Sequence, residues 1–401
     1  MDIALERKLD FWLGIPLCAL VSCFACCRAF ISRGKNRSIK KVFFIKLSEL
    51  GAIILSYPLL KAVKTDFPSA ELFFVTFRKN KGVFKFLGGI IPENNVLYIR
   101  DDSLFLFLTD TVKALYTLRK KGMDAAFDLE FFSRFSAIFS YFSGAWKRAG
   151  FHAYAFEGLY RGGFLTHKIQ YNPLLHVAKN YLVFRQAIRE NRKDTPELKE
   201  NIEDGEIVFP AYLPDKKIGE KIAAKLIDAG GCVGPGKRIF LINPGEGVLP
   251  LREWPLGHFI ELCRLILEVQ DTRIVVIGTQ GALAKTRVLL AALADKRCVS
   301  LVGKTGLDEL LELFSCAEAL ISNDCGLAHL AMLTPVKKFI FFGPESPQVF
   351  GPYGGNNRIF YSGKPCSPCL SVFNHRSSSC GDNVCLKSVL PHQVYAAVRD
   401  S

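Results

Sequence analysis

The stretch Ala319–Leu333, ALISNDCGLAHLAML, decides the fold. Its first four residues read as an apolar strand, Asn323 and Asp324 as a polar turn, and a helix opens at Gly326 with His329 in its first turn. A strand running directly into a helix N-terminus aims free N–H groups and a positive dipole end at one point. Phosphate suits such a point. Asp324 beside it offers a carboxylate to sugar or ribose hydroxyls, or to the helix as a cap. Taken alone, the stretch also reads as an ordinary capped helix with a core-facing His. The loops elsewhere in the chain favour the first reading.

At 401 residues the chain is long for one domain and comfortable for two. An apolar content of 49% with 33 Phe supports sizeable cores, and a charged fraction of 22% argues against disorder. The net charge of +14 points to an anionic partner: a nucleotide-activated substrate, an acidic glycolipid, a membrane surface or nucleic acid. No RNP, zinc-finger or basic-helix pattern supports nucleic acid. The 13 Cys lack the even spacing of a small secreted scaffold. Cys263, Cys298 and Cys316 fall inside apolar patterns, where Cys behaves as a small hydrophobe. A reducing compartment fits.

Residues 1–38 read as an apolar and basic membrane-associating segment. Phe11–Cys27 is a run of 17 residues without a charge, interrupted by Gly14 and Pro16. That is slightly short of the roughly 20 that span a bilayer, and no cleavage site follows. Arg28, Arg33, Lys35, Arg37, Lys40 and Lys41 come next. An apolar segment followed by a basic cluster matches an interfacial anchor on an anionic cytoplasmic leaflet, lying on the membrane rather than spanning it. The alternative is a helix packed on the protein's own surface. Cys23, Cys26 and Cys27 within it pack or accept lipid.

Residues 39–205 read as a first α/β domain. Lys41–Leu47 is a buried strand that Ser48–Gly51, SELG, turns into a helix with apolar Ile53, Ile54, Tyr57, Leu60 and Val63. Strands follow at Glu71–Phe77, Asn95–Ile99 and Met123–Leu129. Helices are predicted near Lys79–Leu87, Leu104–Lys121, Phe131–Phe142 and Asn172–Asn191. The charged passage Glu197–Glu206 is the linker candidate.

Residues 206–390 repeat the architecture. Strands read at Arg238–Ile242, Arg273–Gly278, Val299–Leu301, Ala319–Ser322 and Lys337–Phe342. Helices read at Leu256–Glu268, Ala282–Leu293 and Leu307–Cys316, and residues 391–401 form a terminal helix. This alternation predicts parallel sheets covered on both faces. Two such halves hold a ligand in a cleft, with functional loops at the strand C-termini.

Three second-half loops carry chemistry. Asn243–Glu246, NPGE, leads to Arg252 in LREWPLGHF, an always-charged fork for a diphosphate. Gly278–Gly281, GTQG, presents Thr279, and Asn323–His329 presents Asp324, Gly326 and His329. No Walker lysine pattern and no G-x-G-x-x-G opens either half, so an ATPase or an NAD dehydrogenase is poorly supported.

With KVFFIKLSELGAIILSYPLLKAVKTDFPSAEL, INPGEGVLPLREWPLGHF, RIVVIGTQG, ISNDCGLAHLAML and FFGPESPQVFGPYG in order, the chain resembles the family 9 glycosyltransferases, the group of the ADP-heptose:lipopolysaccharide heptosyltransferases. The resemblance covers roughly Lys40 to Val398. It implies a GT-B fold of two facing Rossmann-like domains, acceptor on the first and nucleotide-sugar donor on the second. It also implies inversion at the anomeric carbon without a catalytic metal. Donor binding then falls to Asn243, Gly245, Glu246, Arg252, Thr279, Asp324, Gly326 and His329, and the acceptor-side loop is Ser48, Glu49 and Gly51. The expected partners are ADP-heptose, a lipopolysaccharide-core-type glycolipid and the inner-membrane surface, with no nucleic acid, for a cytoplasmic and peripherally attached enzyme. The terminal helix, by the same resemblance, crosses back to brace the first domain.

One position departs from the family. Members usually place an Asp, the general base, directly after the first-loop glycine, and here that residue is Ala52. Glu49 is the nearest carboxylate and Glu246 a second candidate; Glu49 reads equally as a solvated or capping residue. A non-catalytic scaffold that binds donor or glycolipid is the rival reading.

Cys366, Cys369, Cys380 and Cys385, in the Cys-rich loop 364–386, have spacing that can close a structural zinc site, with His375 available between the pairs. A disulfide or redox pair and unligated thiols are the alternatives. With the net charge, these cysteines also raise a third reading, a zinc-ribbon nucleic-acid binder, which a steep salt dependence of oligonucleotide binding would mark.

Overall fold

The computed structural model describes residues 3–31, 38–153, 159–189, 201–230, 238–245 and 249–401. Two compact units divide the chain at Phe209/Pro210, and each is built on a six-stranded, wholly parallel sheet.

The first unit opens with helices α1 (Ile3–Trp12) and α2 (Gly14–Ile31). Backbone bonds from Leu13 to Leu9 and from Leu17 to Leu13 carry the helix across their junction. Pro16, which has no N–H to donate, sits one turn into α2. Strands β1 (Lys41–Ile45), β2 (Glu71–Phe77) and β3 (Val96–Ile99) run outward from the centre of the sheet. Helices α3 (Leu50–Leu55) and α4 (Tyr57–Asp66) join the first two, and α5 (Leu104–Lys121) carries the chain back to the centre. There β4 (Ala125–Asp128), α6 (Arg134–Phe142), β5 (Lys147–Phe151), β6 (His167–Ile169) and α7 (Val177–Arg189) complete the unit.

The second unit adds α8 (Lys216–Asp228), β7 (Arg238–Asn243), α9 (Leu256–Leu267), β8 (Thr272–Val276), α10 (Leu283–Leu293) and β9 (Cys298–Ser300). After α11 (Leu307–Cys316) come β10 (Ala319–Asn323), α12 (Gly326–Leu330), β11 (Lys337–Phe342), α13 (Pro347–Phe350) and β12 (Asn357–Tyr361). Short α14 (Val384–Lys387) and α15 (Pro391–Arg399) end the chain.

The strand orders are β3-β2-β1-β4-β5-β6 and β12-β11-β10-β7-β8-β9. In both sheets the direction of travel reverses between the first and fourth strands. A crevice opens outside the carboxyl ends of such a pair. It lies at β1/β4 in the first unit and β7/β10 in the second, so the sequence's functional loops follow from topology.

Continuous apolar runs explain the central strands. Val42, Phe43, Phe44 and Ile45 of β1 are fully buried, as are Leu320 and Ile321 of β10. In the second unit Trp254 is the keystone. Its ring stacks on Phe341 at 4.2 Å and its Nε1 donates to the Val389 carbonyl at 2.9 Å.

Several expectations are corrected. The helix expected near Lys79–Leu87 is two 3-10 turns, Arg78–Asn80 and Val83–Phe86. The helix expected from Asn172 begins at Val177. The terminal helix packs on α9, burying Val394 and Val398 in the second unit's own core. Residues 197–200 of the linker candidate, and Arg33, Lys35 and Arg37, lie outside the described residues.

Candidate active site

In the second unit, β7 ends on Asn243, whose Nδ2 donates to Ser322 Oγ and Cys325 Sγ at 3.2 Å each. Its Oδ1 accepts from the Gly245 N–H at 3.2 Å, locking the turn. Gly245 sits at φ 91°, and a Cβ there would meet the Glu253 carboxyl. Only glycine suits that position. Glu253 in turn pairs with Lys285. Asn323, ending β10, accepts the Trp254 N–H at 2.7 Å. These bonds fix the loop that carries Arg252.

Arg252 reaches Asp324 with Nη2, 2.5 Å from Oδ2 and 3.1 Å from the backbone carbonyl. Both side chains are largely buried. Burial disfavours the Arg252 cation, but Asp324 and Glu345 more than offset it and hold the group above its ordinary range. Burial pushes Asp324 up, against the pull of Arg252.

Glu345, on the loop after β11, completes the cluster. Burial pushes its carboxyl up to about 8, opposed by Arg252 and reinforced by Asp324. Arg376 Nε lies 3.4 Å from Glu345 Oε1, and the Arg376 guanidinium sits over the Phe350 ring. Neither Glu345 oxygen accepts a hydrogen bond among the described residues, and Arg252 Nε and Asn323 Nδ2 are likewise buried without an acceptor. Buried polar groups in native proteins are normally satisfied, so donors and acceptors left over at one spot mark where a polar ligand goes.

The remaining donor-side expectations fall around this cluster unevenly. Thr279 caps its own loop by accepting from the Gly281 N–H at 3.3 Å. Gly326 and His329 belong to α12, a helix of five residues continued by a 3-10 turn, and His329 is buried within it. Glu246 lies outside the described residues. Glu345 and Arg376 were missed. The only sequence signal was the FGPESP motif itself, because the groups meet Arg252 through folding and not through spacing.

In the first unit, Lys46 at the end of β1 is buried against Glu130 after β4, Nζ to Oε2 at 2.8 Å. Glu130 Oε1 also accepts the Leu47 N–H at 2.6 Å. Glu49 is drawn to the same ammonium at 3.6 Å, and its backbone is held at φ 72°, a left-handed conformation rare outside glycine. Its side chain makes no cap bond to α3, which removes the capping alternative. Ala52 is buried in α3. Behind this loop Asp128 and Arg161 form a fully buried ion pair that Ser136 supports from both sides.

Of the cysteines expected to bind zinc, Cys369 and Cys366 lie near enough to Cys385 to add to the burial that pushes its thiol up. Among the described residues no group of three or more His, Cys, Asp or Glu side chains is arranged to hold a metal ion. Cys385 is buried in α14 in the same core as Leu386, while Cys366 and Cys380 are exposed. Cys380 Sγ turns to the Asp382 carbonyl at 3.1 Å.

Two parallel-sheet α/β units, each with its loops at a topological switch point, make up the GT-B fold. The glycosyltransferase family 9 (heptosyltransferase) model matches residues 112–377, and the chain belongs to that family. It is 22% identical over 324 residues to lipopolysaccharide heptosyltransferase 2 of Salmonella typhimurium, covering 80% of this chain and 87% of the relative. The fold is shared with E. coli ADP-heptose lps heptosyltransferase II, at TM-score 0.67 and 20% identity over 90% of this chain and 98% of that one. It is shared also with the E. coli heptosyltransferase WaaC solved with ADP, at TM-score 0.59 and 16% identity over 90% and 99%.

Proposed function

We propose that this glycosyltransferase moves heptose from ADP-heptose to a lipopolysaccharide-core acceptor at the cytoplasmic surface of the inner membrane, with inversion and without a catalytic metal. The observation that carries the reading is the buried Arg252–Asp324–Glu345 cluster with its leftover donors and acceptors. Arg252 Nε and Asn323 Nδ2 face the oxygens of a diphosphate, and Glu345 and Asp324 accept from sugar hydroxyls. The names of the relatives and the ADP held by one of them support the choice of donor.

In the step itself an acceptor hydroxyl oxygen bonds to the anomeric carbon. The bond from that carbon to the diphosphate breaks, and its electron pair leaves on ADP. Charge grows on the diphosphate as this happens, so a guanidinium that grips it more tightly in the transition state accelerates departure. The hydroxyl proton goes to a base on the acceptor side. Glu49 is our candidate, since its carboxylate lies on the loop after β1, 3.6 Å from Lys46 Nζ.

A second reading keeps donor binding and drops turnover. It is favoured by Ala52, a buried methyl where relatives of the resembled family carry their base. The test is ADP release from ADP-heptose with a heptose-free lipopolysaccharide-core acceptor, run with and without EDTA, beside UDP- and GDP-sugars. Release specific to the ADP sugar and unaffected by chelation is expected. Tight ADP binding with no release on any acceptor would leave the donor-binding reading.

A further inference from the structure

We propose that the outward face of α5 is a second lipid-contacting surface which, with the N-terminal helix, seats the first unit on an anionic bilayer. The inference rests on the membrane-surface part of the function proposed above.

α5 reads LFLFLTDTVKALYTLRKK and is apolar on two sides. Thr111, Ala114 and Leu118 point inward, with Phe107 and Leu115 packed on the core of Phe77 and Phe139. Leu104, Leu108, Val112 and Tyr116 recur every fourth residue on the flank next to that face, Phe105 lies beside them, and all five are exposed. A helix face left to water carries polar residues instead. The charges nearest this stripe are Lys113 and Lys120, while Lys121 is paired with Glu71 at 3.8 Å and Asp110 is tied to Arg100 at 2.7 Å.

This stripe does not stand alone. α6 packs beside α5, with Phe107 and Phe135 ring centroids 4.8 Å apart and Arg119 Nε donating to the Phe142 carbonyl at 2.6 Å. α2 packs on α6 in turn, where Cys18 and Val21 meet Ala137 and Phe164. Among the described residues one helical stretch, Lys8–Cys27, is by length and composition apolar enough to cross a membrane. It is instead held lengthwise against the unit. Asp10 Oδ1 accepts the N–H groups of Arg134 and Phe135 at the start of α6, and Ser22 Oγ accepts that of Gly163 at 2.8 Å. Gly14 allows this approach, since a Cβ there would stand 2.9 Å from Arg134 carbons. The opposite side exposes Phe11, Trp12, Leu13, Leu17, Leu20 and Phe24.

Hydrocarbon is the fitting occupant of two neighbouring apolar stripes of this extent. Trp12 and Tyr116 are the residue types that favour the headgroup level. Charge selects an anionic bilayer over a second copy of the chain. Residues 1–209 hold 31 Lys and Arg against 21 Asp and Glu, so most of the +14 lies in this unit and opposes self-association.

The test is flotation of the full chain with phosphatidylcholine vesicles containing 30% or no phosphatidylglycerol. The variants are Phe105→Ser with Leu108→Ser on α5, and Trp12→Ser on the N-terminal helix. ADP-induced thermal stabilisation is recorded for each. We expect the wild type to float with anionic vesicles and the α5 double variant to bind them at least tenfold more weakly, at unchanged melting temperature and ADP response. An α5 variant that floats like the wild type overturns the inference and leaves membrane association to the N-terminal helix. A wild type that ignores both vesicles overturns the membrane surface as well, and a retained ADP response would then leave the transferase reading standing. A stripe-dependent dimer in sedimentation velocity, with vesicle binding unchanged by the serines, also contradicts it.

Discussion

Arg252 clasps Asp324 twice with one nitrogen, at the carboxylate and at the backbone carbonyl. The contact joins the loop after β7 to the end of β10, the two strands that flank the switch point of the second sheet. It therefore has both a structural and a chemical consequence. Removing the guanidinium strands a buried carboxylate, a change that costs about 3–5 kcal/mol. On the proposed function it also removes the cation offered to the leaving diphosphate, worth about 100- to 1,000-fold in turnover. Arg252→Ala is expected to show both losses. Arg252→Lys is expected to keep the melting temperature closer to wild type while turnover stays low, because an ammonium restores charge but not the fork. Denaturation curves beside ADP-release kinetics check this pair.

Glu345 makes stability depend on pH in a direction opposite to most carboxylates. Its folded value of about 8 stands above the ordinary 4.5. Below 4.5 the folded and unfolded chains both hold the proton. Between 4.5 and 8 the unfolded chain releases it while the folded chain retains it, so stability falls as pH rises through that window and levels off above. Glu345→Gln is expected to flatten this slope in urea titrations at pH 5 to 8. ADP affinity in the wild type is expected to weaken above pH 8, where the carboxylate charges and competes for Arg252, and the Gln variant should lack that drop.

Trp254 supports the Arg252 loop from beneath. Trp254→Phe keeps the stack on Phe341 but loses the bond to Val389, an expected cost of about 1 kcal/mol. Trp254→Ala opens a cavity under the loop, with an expected cost of about 3–5 kcal/mol. Thermal and urea unfolding of the two variants measures the difference.

Asp10 caps α6 from a different part of the chain. Its loss removes acceptors from the Arg134 and Phe135 N–H groups and the ion partner of a buried guanidinium. Asp10→Ala is expected to cost about 1–2 kcal/mol, read by urea titration. Limited proteolysis should then cut first between Leu13 and Cys27, as the helix lifts from α6.

What the sequence disclosed follows from how each element is stabilised. Central strands such as β1 and β10 are buried on both faces, so they appear as unbroken apolar runs. β5 (KRAGF) and β6 (HKI) were not legible, because one is small and basic and the other has only three residues. Arg252 and Asp324 stood out because their loops have distinctive local patterns. Glu345, Arg376 and the Asp128–Arg161 pair come together only when separate loops converge. The two-sidedness of α5 was visible in its letters, but its inner face became known only with the sheet in place.

ADP release from ADP-heptose on a lipopolysaccharide-core acceptor, compared between wild type, Arg252→Ala and Glu49→Gln, tests the transferase account most directly. We expect wild-type release that falls steeply in Arg252→Ala and nearly vanishes in Glu49→Gln, with ADP binding intact in the Gln variant. Wild-type protein that binds ADP through Arg252 yet releases none from ADP-heptose, even with membrane extract as acceptor, would contradict the account and identify a donor-binding protein without chemistry.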